Sequence, residues 1–426
     1  MDVDRSAVAK LEEGLGAPVR GRVKAAVERI VAAKKRGGRV VVVTGSGPNV
    51  HEGVTTLIAE LMRLGVVDGV TTSSAVVAHE MGGVLDKVKR VDAAALGASG
   101  AMPRAAWLPR GGSFELSLLP DEVLSEIAGE MPIDDALLTA LRAARGDVII
   151  KAAGNLGYPM GLYLERLSAE LVPLAREKGM PLEELIGAGA DPRTMIGVGA
   201  RKGLPVLVTI PQLVGGGSVG LAIGDSLSIT ERAERIAAML GGADVIIESA
   251  VALTQEVHDG PFETHTGHGL WAAWQGRPTF SLQGKTLVRI DLDPALEQVW
   301  QSERQSSAVQ EAIDKGLPKT KLFNVPFRME MSGFARLEGS LPVVGDIGVI
   351  WPILALRVTE RLGVSLGFLS HPQQTPQGKV MREWIVDAIR PASRNRVLAG
   401  LQGADSSGHA PSVAKLAQGG RMREGG

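Results

Sequence analysis

The residues best suited to chemistry lie where short apolar runs stop. The run Val40–Val43 gives way to Thr44-Gly45-Ser46-Gly47, followed by Asn49. Glycines let a backbone come close to a ligand, and free N–H groups at a helix start attract phosphate. Ser46, Gly47 and Asn49 are therefore the expected phosphate-side contacts, against the plainer reading of an ordinary strand-to-helix turn. After Val70 stand Thr71, Thr72, Ser73 and Ser74, and then His79-Glu80. Thr72 and Ser73 are candidate cofactor contacts, and Glu80 is a candidate for ribose hydroxyls, since acids do this work after the second strand of nucleotide-binding sheets. Helix capping is the bland alternative for the hydroxyls. Histidine titrates near neutrality, so His79 is a candidate acid/base, although a lone histidine is more often structural.

Four further stretches share this character. KAAGN carries Lys151 and Asn155 at a run's end. IPQLVGGGSVGLAIGD holds Gly215–Gly217, Ser218 and Asp225; three consecutive glycines weaken regular structure by roughly 0.5–1 kcal/mol each, so Gly216, Gly217, Ser218 and Asp225 are expected to face a ligand. Ser228 with Glu231 reads instead as a capping box. ADVIIESA ends in Glu248, a further expected contact, and leads into His258, Asp259, Glu263, His265 and His268. Metal binding has to be weighed there, but the spacing matches no standard ligand motif. His265 and His268 are taken as candidate acids or bases, with no metal expected. TLVRIDLDP ends in Asp291 and Asp293; Asp291 is a candidate for ribose, and a helix cap before Pro294 is the alternative.

These loops need a scaffold. RVVVV, GVTT, GDVII, LPVLV, ADVII and TLVRI are β-branched runs suited to strands covered on both faces, as in parallel sheets. Helical periodicity lies between them at Val54–Leu64, Ile133–Arg145, Leu162–Lys178 and Ile229–Leu240. The alternation predicts an α/β fold with a doubly wound, mostly parallel, Rossmann-like sheet. An N-terminal helical segment over 1–36 is expected, then one α/β domain over 37–399. The stretch Asp314–Leu341 reads as an insertion or arm, WPILALRVTERLG as a further helix, and 400–426 as a disordered tail.

Composition narrows the function classes. Among 426 residues there is no cysteine, which excludes disulfides, thiolate metal sites and a cysteine nucleophile. Lys and Arg number 46 against 47 Asp and Glu, so the basic excess of a nucleic-acid binder is missing. The opening MDVDRSAVAKLEEGLG lacks the pattern of a signal peptide, and no apolar run reaches the ~20 residues of a membrane span. A cytoplasmic protein with no membrane or nucleic-acid partner is expected.

The order of motifs resembles the deoxyhypusine synthase superfamily of NAD-binding folds. TGSGPNVHEGVTTLIAELMRLGVVDGVTTSSAV, AAGNLGYPMGLYLERLSAELVPL and GVGARKGLPVLVTIPQLVGGGSVG follow the synthase order. SSAVVAHE, GDSLSITERAERIAAMLGGADVIIESAVAL and VRIDLDPA are similar to the archaeal-type ornithine cyclodeaminase branch, and the whole resemblance covers roughly Gly37 to Pro294. It implies NAD as cofactor, a small-molecule substrate and a homo-oligomer, dimer or tetramer. It also implies cyclodeaminase-type oxidation and deamination of an amine or amino acid. Asn155 and Ser218 would orient nicotinamide or substrate, and His79, His265 or His268 would move the proton. No lysine lies between Lys202 and Lys285, where the synthases place their imine-forming lysine, and Gly215–Gly217 replaces their acidic pair. A true deoxyhypusine synthase is therefore not expected. The alternatives are a non-catalytic NAD- or nucleotide-binding protein, and a metal-assisted hydrolase or lyase using the 258–268 cluster.

Overall fold

The computed structural model describes residues 3–92, 112–154, 157–250, 282–318, 321–325 and 333–406, together with Leu96. Six strands form a wholly parallel sheet: β1 (Val40–Val43), β2 (Gly69–Thr72), β7 (Val206–Val208), β8 (Val245–Ser249), β9 (Thr286–Asp291) and β10 (Ser340–Val344). Their spatial order is β10-β9-β8-β1-β2-β7. Counting only these six in chain order, the sheet runs 6-5-4-1-2-3, the order of dinucleotide-binding α/β folds. The chain starts in the middle, builds outward through β2 and β7, then returns to the other side of β1 with β8.

Strand alternation sorts the side chains into two cores. Val40, Val42, Val70, Val208, Ile247 and Ile290 face one, against helices that include Ala17–Lys35, Val54–Arg63 and Ile347–Leu362. Val41, Val43, Leu207, Ile246 and Leu287 face the other, against helices Ile229–Gly241 and Ala295–Ser306. Helices on both faces make this a doubly wound α/β fold. Buried β-branched runs on both faces explain why these strands lack polar alternation.

Between β2 and β7 the chain inserts a second sheet that the apolar runs did not reveal. It comprises β3 (Leu85–Asp92), β4 (Ser113–Ser117), β5 (Gly146–Ala152) and β6 (Gly157–Tyr158), in the order β5-β3-β4-β6. GDVII, expected in the parallel sheet, is β5 here, paired antiparallel to β3. Its burial is partial, with Asp147 and Val148 exposed, so it never had the environment its composition implied. LDKVKRVD was missed because charged residues on its open side hide the strand period.

Three expected boundaries shift. The helix over 5–36 breaks at Gly14 into Arg5–Glu13 and Ala17–Lys35, the second with Pro18 in its first turn. Within 314–341, Phe334, Ala335 and Leu337 pack into the core and Leu341 belongs to β10, while Leu317 and Leu322 are exposed. A helix runs over Arg394–Ser406, into the expected tail, and residues 407–426 lie outside the described residues. No single described helix is long and apolar enough to cross a membrane.

Candidate functional site

The strand order reverses between β1 and β8, and ligands of open α/β sheets bind outside the carboxyl ends at such a point. There the turn after β1 meets the end of β8. Ser249 Oγ donates to Asn49 Oδ1 at 2.5 Å, and Asn49 Nδ2 donates to the Gly45 carbonyl at 2.5 Å. Trp351 Nε1, on the helix Ile347–Leu362, donates to Ser249 Oγ at 2.8 Å. Asn49, expected to contact phosphate, is thus fully buried and spends both ends of its amide on the protein. Ser46 and Gly47 stand at the start of the short helix Ser46–His51.

Hydroxyls line the neighbouring strand ends. Thr44, Thr71, Thr72 and Thr209 are buried at the carboxyl ends of β1, β2 and β7, and among the described residues none hydrogen-bonds their Oγ1 atoms. Leaving a buried hydroxyl unmet costs roughly 1–3 kcal/mol, so these groups call for a polar partner. Thr71 to Ala75, which end β2 and open the next helix, include no carboxylate. Ser73 caps the helix Ser74–Met81 through Val76 N, the bland alternative for these hydroxyls. Glu80 is fully buried and accepts the N–H groups of Met195 (2.8 Å) and Ile196 (3.0 Å), capping another helix. Burial pushes its pKa up to about 7 against the pull of those two bonds. Both of its oxygens are thus spent on the helix Met195–Lys202.

The glycine run has two roles. A Cβ on Gly216 would stand 2.8 Å from the Ser74 backbone, and Ser74 Oγ accepts from Gly216 N while donating to the Gln212 carbonyl. Close packing on the start of helix Ser74–Met81 therefore explains Gly216. Gly217 has φ +60° with open space around it, and Ser218 is exposed. Asp225 lies at the far end of the helix Gly217–Ser226, paired with Arg176 at 3.9 Å and away from the strand ends. Glu248 pairs with Arg289 across β8 and β9, both buried, with the guanidinium 4.3 Å over the Phe334 ring. Asp291 accepts from Asp293 N, and Asp293 from Ala295 N, which is the capping alternative. Asn155 and the cluster His258–His268, including His265 and His268, lie outside the described residues. Among the described residues no group of three or more His, Asp or Glu could hold a metal ion.

A second polar cluster lies where β5 ends. His79 Nδ1 is 2.8 Å from the Ala153 carbonyl. A carbonyl only accepts, so Nδ1 carries the proton and Nε2 of the neutral ring keeps its lone pair. Burial holds the His79 pKa below its usual value, and Lys151 adds to this, against the Ala153 bond. His51, which ends the helix Ser46–His51, is also lowered by burial first and then by Arg382, His79 and Lys151. Lys151 pairs with buried Glu115 at 2.6 Å, and Glu115 also meets Arg90 at 3.1 Å. Asp86, opposite Lys151 in the β3–β5 register, is pushed up to about 6 by burial. His51, Asp86 and Glu115 escaped the sequence reading. Only His51, four residues from Gly47, carried a local signal; the other two are joined through antiparallel pairing.

No family model matches this chain, and no curated protein matches it in sequence. Solved structures similar to it include the apo form of ArgZ, an arginine dihydrolase from the ornithine–ammonia cycle in cyanobacteria. The TM-score is 0.37 at 14% identity, over 84% of this chain and 34% of that one. A conserved putative LOR/SDH protein from Methanococcus maripaludis S2 gives 0.36 at 13%, over 85% and 70%. The ternary complex of AgrE with ornithine and NAD+ gives 0.34 at 15%, over 80% and 33%. The chain spans about a third of the length of the first of these, ArgZ.

Proposed function

We propose that this chain is an NAD-dependent enzyme acting on a small polar substrate, of the kind that oxidises and deaminates an amine or amino acid. The observation that carries the reading is the reversal of strand order between β1 and β8, with the Gly45 turn and Ser249 meeting at its carboxyl edge. The residues there suit a dinucleotide. The hydroxyls of Thr44 and Thr72, buried at these strand ends with no hydrogen-bond partner among the described residues, are uncharged donors and acceptors of the kind that meet ribose or carboxamide groups, and Gly47 and Gly217 leave room for close approach. A deoxyhypusine-synthase-like grouping belongs to this proposal at the level of fold.

Bound NAD supplies a two-electron acceptor for a hydride leaving the substrate carbon. This chain's part is the proton. As that C–H is lost, the substrate amine or hydroxyl gives up a proton, and we assign His79 Nε2, left unprotonated by the Ala153 bond, to take it. The Ala153 carbonyl fixes the tautomer, and burial keeps the ring neutral and ready to accept. Lys151, held by Glu115, stands close enough to influence both His79 and His51.

Titration calorimetry of the purified protein with NAD, paired with native mass spectrometry, tests the cofactor. One NAD per protomer is expected, followed by ammonia release from a member of an amine and amino-acid panel, with or without net NADH. Absence of any NAD binding would sink the reading. Binding without turnover across the panel would favour a non-catalytic nucleotide-binding protein.

A further inference from the structure

We infer that Trp351 and Ser249 are positioning residues for the nucleotide crevice, acting through Asn49 to set the place of the Gly45 turn. The inference rests on the NAD reading above and adds residues that touch no ligand.

The chemistry of the four groups fixes the direction of the chain. An indole N–H can only donate, and a backbone carbonyl can only accept. With Trp351 at one end and the Gly45 carbonyl at the other, each group between has one allowed role. Ser249 Oγ accepts from Trp351 Nε1 and donates to Asn49 Oδ1. Asn49 must then turn its oxygen to Ser249 and its nitrogen to Gly45. A flipped amide would set two donors against Ser249's hydroxyl hydrogen and an oxygen against the Gly45 carbonyl. Ser249, Asn49 and Trp351 are each fully buried, so no water competes for these bonds.

The places these residues occupy give the chain its consequence. Gly45 lies two residues past the central strand, Ser249 ends its neighbour across the reversal, and Trp351 lies on a helix packed against both the first long helix and the core. The chain therefore ties the two lips of the crevice to each other and to a rigid support. Satisfied buried polar networks of this kind hold one arrangement because every alternative leaves a group unmet. The residue after Ser249, Ala250, has φ +81°, a left-handed conformation costly for a residue with a Cβ. Its N–H is held by the Ile290 carbonyl at 2.9 Å. The backbone leaves β8 in a conformation maintained by its surroundings, which is where a tether is needed.

Trp351→Phe keeps the ring and deletes the donor, Ser249→Ala deletes the relay, and Ser249→Thr restores a hydroxyl. NAD affinity is measured by calorimetry for each and for the double variant, with thermal melts beside them. Each single deletion is expected to weaken NAD binding about tenfold. The double variant is expected to be no weaker than the worse single, because one chain is cut once or twice with the same result. Ser249→Thr is expected within about threefold of the unaltered protein. Melting temperatures that fall while affinity stays unchanged would overturn the proposal, as would losses that multiply in the double variant. A failure of Ser249→Thr to recover affinity while folded, with Trp351→Phe unimpaired, would also overturn it. An unaltered protein that ignores NAD would overturn the cofactor reading and this proposal together.

Discussion

Two regions of this molecule gather polar groups in opposite ways. At the crevice between β1 and β8, the groups are amides, hydroxyls and an indole, none of which titrates, bound in one direction. Where the inserted sheet meets the helices after β1 and β2, they are His51, His79, Lys151, Asp86 and Glu115. The first arrangement has geometry that does not change with pH. In the second, the protonation states of His51, His79 and Asp86 are moved by burial and neighbouring charge, which is the property proton transfer uses. On the proposed function, a single fold separates the part that stays in place from the part that changes charge.

The largest effect should come from His79. Glutamine there can still donate an N–H to the Ala153 carbonyl but cannot titrate. His79→Gln is expected to lower turnover by about 10²–10⁴-fold, with NAD affinity within about threefold. Calorimetry beside a steady-state assay separates the two, and an equal loss in both would merge the regions that the comparison keeps apart. Because burial lowers its pKa, the acid limb of turnover for the unaltered protein should fall below the ordinary histidine range.

Asp86 offers a test in stability. Its pKa rises from 3.8 to about 6 on folding, so the folded state holds a proton the unfolded chain has lost. Its contribution is fully present below pH 3.8 and disappears as pH rises through about 6. The size of that swing is on the order of 2–3 kcal/mol. Asp86→Asn should remove it, so denaturant unfolding of the two proteins between pH 4 and pH 7 should converge in slope only if Asp86 plays no part.

The smallest effect belongs to the crevice. The end of β2, Thr71 to Ala75, carries neither the carboxylate that selects NAD nor an arginine for a 2′-phosphate. NAD and NADP are expected to differ in affinity by less than about tenfold. A preference of a hundredfold would show that a charged group from elsewhere in the chain reaches this edge.

The five parallel strands recognised from their apolar runs were legible because burial on both faces demands continuous β-branched residues. The sixth, SLPVV, follows a stretch without clear period and straddles the end of the expected insertion at Leu341. Helices such as Val54–Arg63 and Ile229–Gly241 were legible to within a residue or so, since the apolar stripe and the Ser228 cap are local signals. Strand ends were legible as polar, but not the direction in which each polar group turns.

What the sequence determined by itself was the α/β alternation and the glycines, hydroxyls and acids gathered at strand ends. Tertiary structure decided their uses. Glu80 and Asn49 look alike in sequence as ligand-facing groups, yet one caps a helix more than a hundred residues away and the other ties Gly45 to Ser249. Asp86, Glu115 and Lys151 meet only because β3 pairs with both β4 and β5. The physical reason is range: periodicity and capping act over a few residues, whereas burial and partner choice depend on whichever surface the folded chain brings alongside.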